Sequence, residues 1–173
     1  MAAAADLVRM LETRGCTVAA PTEHPVLGVA ESRWIAPLQV VAAAEAAKNA
    51  GFFFESMTCV DRIDPHGVFE LLYTFNRWDE SARVALRVWA PKEAPVPSLS
   101  GVYGIAEWNE REAWELYGLR FSGHPNLTWL LLPEDTAFHP LLKSFTAPPP
   151  SIYDDSMNPQ PQAADDDGSH AHG

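Results

Sequence analysis

The sequence predicts an α+β fold, a two-layer sandwich in which helices cover one face of a mixed sheet of about five strands. Three observations support this prediction. Apolar and polar residues alternate over 69–75 and again over 83–88, as they do in strands that are buried on one face. Residues 42–50 are rich in alanine, which suits a helix that packs closely on a sheet. The predicted order is helix, two strands, helix, three strands, helix and an extended arm, which excludes an all-α or all-β protein.

The first predicted helix and two short strands precede residue 31. The helix spans 2–14 and ends before Gly15, a residue type that commonly follows a helix C-terminus. Short strands are predicted over 17–20 and 26–30, because these are short runs next to prolines.

A second helix is predicted to begin at Ser32 and to run to about Asn49. Serine is a preferred N-cap residue, and Pro37 falls in or near the first turn, where proline is tolerated. Gly51 follows the last helical residue and is expected to end the helix.

Three strands are predicted after the second helix. The first spans 52–60, and the two alternating segments follow it as a hairpin joined by the polar loop 76–81. Arg83 and Arg87 are expected on the outer face of the sheet, since neighbouring side chains of a strand alternate between faces. The expected inward side chains are Phe69, Leu71, Tyr73, Phe75, Val84, Leu86 and Val88.

The last predicted helix follows a proline-rich connection over 91–97. It opens at Ser98 or Ser100, both of an N-cap residue type, and ends at Tyr117, before Gly118. At about 100° per residue, one face of this helix carries an apolar stripe with a carboxylate near its middle. The members of the stripe are Ile105, Trp108, Glu112, Leu116 and Leu119.

Glu112 is the candidate for chemistry on this helix. A carboxylate within a buried stripe must be paired or protonated, because a lone buried charge costs several kcal/mol. We expect a structural ion pair, with Arg62, Arg87 or backbone amides near Gly123 as partners. The alternative is a stand-alone acid–base enzyme in which a shifted pKa lets Glu112 act together with His124.

Arg111 and Trp114 lie on the same helix, outside the stripe. An arginine and an aromatic residue away from the core are typical of interface anchors, so both are predicted to bind a partner. The alternative is a second packing layer, made when the arm folds back onto the helix.

Other kinds of site have little support in the sequence. His124 and His139, with Glu134 and Asp135, are metal-ligand types at irregular spacing, so no metal site is predicted. The two cysteines cannot supply the four thiolates that an iron–sulfur cluster usually needs, and they are expected to be small buried hydrophobes. No glycine-rich phosphate loop is present. The net charge of −11 argues against nucleic acid and anionic membrane as partners.

The chain is predicted to have three parts. An α+β core domain spans 1–118, an extended partner-binding arm spans 119–145, and an acidic tail spans 146–173. The tail contains five aspartates and no lysine or arginine. It is predicted to be disordered alone, because it cannot bury enough apolar area to offset its ordering entropy. Tyr153 is a candidate anchor of the tail on a partner.

Residues 110–145 contain motifs that carry a family resemblance. They include Glu110-Arg111-Glu112, Tyr117-Gly118-Leu119, Gly123-His124-Pro125, Leu132-Pro133-Glu134-Asp135 and His139-Pro140-Leu141. The run resembles the signature of the thirty-kilodalton subunit family of respiratory NADH dehydrogenase, which includes the C-type subunits of NADH-quinone oxidoreductase. Weaker similarity extends back through the three strands. The resemblance implies the same kind of fold.

The resemblance also implies a function, that of a non-catalytic structural subunit in the peripheral arm of a complex-I-like NADH:quinone oxidoreductase. Such a subunit docks the large quinone-site subunit and supports the iron–sulfur electron-transfer chain. Iron–sulfur clusters, flavin and quinone are expected in partner subunits, and no cofactor in this chain. The expected location is peripheral, on the cytoplasmic side of the inner (plasma) membrane, with membrane contact only through the complex. The residues expected to bind partners are Arg111, Trp114, His124, Pro125, Trp129, Pro133, Glu134, Asp135, His139, Pro140, Phe145 and Tyr153.

The run departs from the family pattern at several positions. The family usually has an acidic residue where this chain has Asn126, and basic residues where it has Thr128 and Trp129. An arginine is also usual where this chain has Leu142. These departures leave open which complex the chain joins. The alternative is the equivalent structural subunit of an energy-converting, membrane-bound nickel–iron hydrogenase.

Overall fold

A four-stranded mixed sheet forms the centre of the protein. The computed structural model describes residues 2–16, 18–19, 28–80 and 82–146. The sheet contains β1 (Glu31–Ile35), β2 (Phe53–Arg62), β3 (Val68–Asn76) and β4 (Val84–Pro91). The strands lie in the order β1-β4-β3-β2, with β1 parallel to β4 and antiparallel pairing elsewhere. The predicted α+β sandwich with a mixed sheet is confirmed.

Helices pack on one face of this sheet. They are α1 (Ala2–Thr13), α2 (Val40–Asn49), the single turn α3 (Ile63–His66) and α4 (Ala106–Tyr117). The alanine-rich face of α2 is buried, as predicted, because small side chains let a helix lie close to its neighbours. Together, α1, α2, α4 and the sheet enclose one apolar core. Within the described ranges, no helix is long and apolar enough to cross a membrane.

The sheet has one apolar face and one polar face. Phe69 and Tyr73 of β3 lie in the core, each 1% exposed. On the opposite face, Glu70 of β3 pairs with Arg87 of β4 and with Arg62 of β2. The alternation predicted for β3 and β4, and the hairpin that joins them, are confirmed.

The structure corrects the predictions made for the N-terminal region. Ser32 lies inside β1 and does not cap a helix, because this segment pairs with β4. Helix α2 begins later, at Val40, after a turn of 3-10 helix. Of the two short strands predicted before residue 31, the described residues form only one isolated bridge, between Ala19 and Trp34.

The last helix also begins later than predicted. α4 starts at Ala106, while residues 98–105 form turns and bends. Two short strands, β5 (Val96–Pro97) and β6 (Phe121–Ser122), pair in parallel on either side of α4 in sequence. From 123 to 146 the chain has no further helix or strand, as predicted for an extended arm. We call residues 119–145 the arm segment.

Candidate functional site

Helix α4 buries two carboxylates and a guanidinium, while two large apolar side chains at its start are exposed. Glu110 and Glu115 are fully buried, and Arg111 is 8% exposed. Ile105 and Trp108, members of the predicted core stripe, are 57% and 51% exposed. The helix therefore departs in part from the usual amphipathic arrangement, in which charged side chains stay on the surface, although Ala106 and Ala113 are buried in the core.

The expectation of a buried ion pair at Glu112 is wrong. Glu112 is exposed, and it forms no ion pair within the part of the chain that the structure describes. Helical periodicity correctly grouped Glu112 with Ile105 and Trp108, but this part of the stripe faces outward, whereas Leu119 at its end is buried as predicted. The opposite face is buried because its polar groups find hydrogen-bond partners in the folded chain, which a hydropathy pattern does not register. The acid–base alternative thereby loses its buried carboxylate.

Glu115 binds three consecutive backbone amides of the arm segment. Its Oε2 accepts hydrogen bonds from the Leu130 amide at 2.5 Å and the Leu131 amide at 3.1 Å. Its Oε1 accepts from the Leu131 amide at 3.0 Å and from the Leu132 amide. Several amide donors stabilise a buried carboxylate in place of a cation, because their dipoles point at its charge. Glu115 thus fixes the middle of the arm segment on α4.

Arg111 holds the adjoining part of the arm segment. Its guanidinium donates to the carbonyl oxygens of Thr128 at 3.1 Å and Trp129 at 2.7 Å, and to the Thr128 hydroxyl at 3.1 Å. The guanidinium also lies 5.2 Å from the centroid of the Trp108 ring. Trp114 packs on Trp129, with ring centroids 5.1 Å apart. The arm segment therefore folds back on Arg111 and Trp114 as a second packing layer, while their contact with a partner stays a prediction.

Glu110 holds the turn that precedes α4. It accepts a hydrogen bond from the Ser98 hydroxyl and another, at 2.6 Å, from the Leu99 amide. The Ser98 oxygen in turn lies 2.7 Å from the Ser100 hydroxyl. Burial raises the pKa of Glu110, and the hydrogen bonds from Ser98 and Leu99 act in the opposite direction. Ser98 thus bonds to the carboxylate and Ser100 bonds to Ser98, so neither predicted N-cap serine caps the helix, which starts further along the chain.

His124 links the arm segment to α4 as a neutral ring. Its Nδ1 accepts a hydrogen bond from the Asn126 amide at 3.0 Å, so the ring proton lies on Nε2. Nε2 donates to the Glu107 carbonyl at 3.1 Å and lies 4.0 Å from the Glu110 carboxylate. Both ring nitrogens are therefore occupied by backbone groups, which leaves neither available as a metal ligand.

The arm segment crosses the end of α4 at Gly118. His139 Nδ1 donates to the Glu115 carbonyl at 2.8 Å, and the Leu141 amide donates to the Leu116 carbonyl at 3.0 Å. Gly118 ends the helix with φ at 77°, and a Cβ placed there would lie 2.8 Å from the His139 ring. Glycine therefore suits this position for two reasons: it adopts the left-handed backbone conformation without strain, and it leaves space for the His139 imidazole.

Asp61 of β2 anchors the end of the arm segment. Its Oδ2 accepts a hydrogen bond from the Lys143 amide at 2.8 Å, and its Oδ1 accepts one from the Ile63 amide at 2.8 Å. We call Asp61, Glu110, Arg111 and Glu115 the backbone clamp. Sequence reasoning missed its three carboxylates as site residues. The available signal was the occurrence of Glu110 and Glu115 in the family motifs, without any apparent chemical partner.

The remaining predicted partner residues are spread along the arm segment. Pro140 is half-buried, and Phe145 stacks on Phe138 with ring centroids 5.0 Å apart. Tyr153 belongs to the predicted tail, and residues from 147 onward lie outside the described residues. Their contacts with partners stay predictions. The exposed members are Pro125, Pro133, Glu134 and Asp135.

All four side chains of the backbone clamp are engaged within the chain. Each of its ionisable groups is buried and hydrogen-bonded to backbone atoms. Cys16 and Cys59 are free and buried, as expected, and burial raises the pKa of Cys59 to about 12, which keeps it a thiol at neutral pH. Among the described residues, no group of three or more His, Cys, Asp or Glu could hold a metal ion.

Comparisons with known proteins agree with the motif resemblance. A family model described as "Respiratory-chain NADH dehydrogenase, 30 Kd subunit" matches residues 33–151. The chain is 40% identical over 113 residues to the C 2 subunit of NADH-quinone oxidoreductase from Rhizobium etli, covering 62% of this chain and 57% of that protein. It is 32% identical over 149 residues to the C-type subunit of the same enzyme from Paramagnetospirillum magneticum, covering 80% and 75%. The chain thus spans only part of the length of these relatives.

Solved structures share the fold. A trypsin-resistant fragment of Nqo5 superposes with a TM-score of 0.52 at 24% identity, covering 72% of this chain and 99% of the fragment. A chain of the membrane-bound sulfane sulfur reductase, an archaeal respiratory membrane complex, superposes with a TM-score of 0.64 at 18% identity. That match covers 82% of this chain and 84% of the other.

Substitution of Glu115 tests whether the carboxylate holds the arm segment. We expect Glu115→Ala to lower the free energy of unfolding by about 2 kcal/mol or more, because buried amides of the arm segment lose their acceptor. Limited chymotrypsin digestion should then cleave near Trp129. Glu112→Ala on the exposed side of the same helix is the matched control and should change stability by less than about 0.5 kcal/mol. Equal resistance of both variants to the protease would contradict the clamp.

Two glycines with the same backbone geometry isolate the His139 contact. Gly118 and Gly123 have φ of 77° and 78°, but an added Cβ meets the His139 ring at Gly118 and nothing within 4 Å at Gly123. Each alanine substitution should cost about 1 kcal/mol in backbone strain. Gly118→Ala should cost a further 1–3 kcal/mol, roughly, from the steric clash. His139→Ala should remove this excess in a double-mutant cycle; equal costs at both glycines would contradict the close approach.

The raised pKa of Glu110 predicts a pH-dependent stability. Folding favours the protonated form of the Glu110 carboxyl, because its pKa is higher in the folded chain. The contribution of this proton to the free energy of unfolding is therefore complete below the unfolded pKa of about 4.3, and it is lost as the pH rises through the folded pKa. Relative to Glu110→Gln, wild-type stability should therefore fall with rising pH, by about 1.4 kcal/mol for each pH unit between the two pKa values. Urea unfolding at a series of pH values measures this difference. A difference that does not change with pH would show that burial does not perturb Glu110.

Proposed function

The chain belongs to the family of respiratory-chain NADH dehydrogenase 30 Kd subunits, and we propose that it is a non-catalytic structural subunit in the peripheral arm of a complex-I-like NADH:quinone oxidoreductase. In this role it docks the large quinone-site subunit and supports the placement of the iron–sulfur electron-transfer chain. The transfer of electrons is then a property of the assembled complex.

The observation that carries this proposal is the backbone clamp. The family motifs place several ionisable residues close together, which would suit an active site, yet the structure commits them to internal hydrogen bonds. Glu115 accepts from three amides, and Arg111 donates to two carbonyls of the arm segment. Catalytic acids, bases and electrostatic stabilisers must reach a substrate. Groups that are buried and occupied in this way serve instead to hold an irregular segment in one conformation for a partner.

Cofactors follow from the same role. The proposed role assigns iron–sulfur clusters, flavin and quinone to partner subunits. Association with the membrane then passes through those subunits, at the cytoplasmic side of the inner (plasma) membrane.

A second candidate is the equivalent subunit of an energy-converting, membrane-bound nickel–iron hydrogenase. The motif departures at Asn126, Thr128, Trp129 and Leu142 leave this candidate open, because they replace charged residues that the family usually presents. The similarity in fold to a chain of the membrane-bound sulfane sulfur reductase is consistent with either assembly. The two candidates share the structural role and differ in the metal of the large partner subunit.

Affinity purification of the tagged full-length chain from its source organism tests the proposal. We expect a flavin subunit, iron–sulfur proteins and a large quinone-site subunit to co-purify, identified by mass spectrometry, without nickel in metal analysis. Nickel in the large subunit would select the hydrogenase candidate. A chain recovered without partner subunits, or one that oxidises NADH alone, would contradict the structural role.

A further inference from the structure

We propose that the outward face of α4 and the groove beside it dock a partner-subunit segment that is apolar and carries a lysine or arginine opposite Glu112. This inference rests on the proposed function and locates one contact within it. The groove lies between α4 and β2, the edge strand of the four-stranded sheet, and has a volume of about 270 Å³. The groove is lined by Asn109, Glu112 and Tyr117 of α4 and by Leu141 of the arm segment, among others.

An apolar surface adjoins this groove. Ile105 is 57%, Trp108 51% and Leu141 48% exposed. The Leu141 amide donates to the Leu116 carbonyl at 3.0 Å, so the end of the arm segment extends the outward face of the helix. Clustered large apolar side chains on the surface of a soluble protein mark sites of interaction, whereas single ones need no explanation.

The exposure of this surface is built into the fold. Rotation of α4 to bury Trp108 would pull Glu110 and Glu115 away from the amides of Leu99 and of residues 130–132. Buried polar groups that lose their partners cost more than the burial of one aromatic side chain gains. The apolar side of the helix is thus held outward, and a second chain is the means of covering it.

Glu112 supplies the charge complementarity. It is the only charged residue that lines the groove, it is exposed, and it has no ion pair within the described ranges. An apolar segment alone would desolvate this carboxylate without compensation, which is unfavourable. A lysine or arginine on that segment pairs with it at the moment of docking. Asn109 and the Tyr117 hydroxyl add hydrogen-bonding groups along the same groove.

The charge also argues against a second copy of this chain as the occupant. A two-fold symmetric contact through this face would bring Glu112 near its own counterpart, and like charges repel in a partly dry interface. The chain as a whole carries a net charge of −11, which disfavours self-association and favours a basic partner surface. Pockets that bind drug-sized molecules usually have volumes of roughly 300–1,000 Å³. The groove is smaller than this range, which argues against such a molecule as the occupant.

Substitutions that keep the fold and change only this surface test the proposal. Glu112→Lys reverses the charge at an exposed position. Glu45→Lys makes the same change at an exposed position of α2, away from the groove, and is the matched control. Ile105→Asp removes an exposed apolar side chain at the start of α4, where the helix dipole favours a negative charge, so the helix itself is retained. Each variant is expressed as the tagged full-length chain in the source organism. The measurement is the amount of large partner subunit recovered per tagged chain.

We expect Glu112→Lys and Ile105→Asp each to reduce the recovery of the large partner subunit by at least about tenfold, which is the effect of substituting a residue at the centre of an interface. The cellular level of the tagged chain should stay unchanged. Glu45→Lys should recover the wild-type amount. Wild-type recovery with Glu112→Lys, or a homodimer that this variant abolishes, would overturn the docking surface and leave the proposed function intact. Absence of partners from the wild-type chain would overturn both.

Discussion

Carboxylates buried without cations impose the constraint on which this structure depends. Asp61, Glu110 and Glu115 are each at most 5% exposed. Asp61 and Glu115 accept hydrogen bonds from backbone amides of the arm segment, and Glu110 accepts one from the Leu99 amide in the turn before α4. Because an unpartnered buried carboxylate costs several kcal/mol, the carboxylates and those segments must come together for either to be stable. An irregular arm segment with few apolar side chains in the core is thereby held in place. Arg111 adds the complementary contact by donating to carbonyl oxygens of the same segment.

The same constraint sets the rotation of α4. With Glu110, Arg111 and Glu115 turned inward, Ile105 and Trp108 lie outside the core and remain on the surface. Apolar burial elsewhere in the domain is conventional, with alternating side chains of β3 and β4 against the alanine face of α2. The unusual surface is therefore local to one helix and the arm segment beside it. A local surface of this kind suits a subunit whose task is to present a fixed shape to another protein.

The polar face of the sheet follows a different rule from the backbone clamp. Glu70 there is paired with two guanidinium groups, those of Arg62 and Arg87, and Arg87 also lies 4.6 Å from the Trp34 ring centroid. Opposite charges on neighbouring strands stabilise a sheet through cross-strand pairs. On the α4 side, amide dipoles take the place of cations. A carboxylate neutralised by backbone amides fixes the path of the main chain, whereas one neutralised by a side chain fixes only that side chain.

The sequence by itself determined the fold class, the hairpin of β3 and β4, the helical alanine face and the family. These depend on local patterns, namely a period of two in strands and glycine after a helix, or on motifs that need no knowledge of contacts. The tertiary structure alone decided that Ser32 belongs to a strand and that Glu112 faces outward. Strand pairing at Ser32 involves residues some fifty positions away, and Glu115 is stabilised by amides that a hydropathy pattern treats as featureless backbone. Helical periodicity identifies which residues share a face, but the distant partners decide which face is buried.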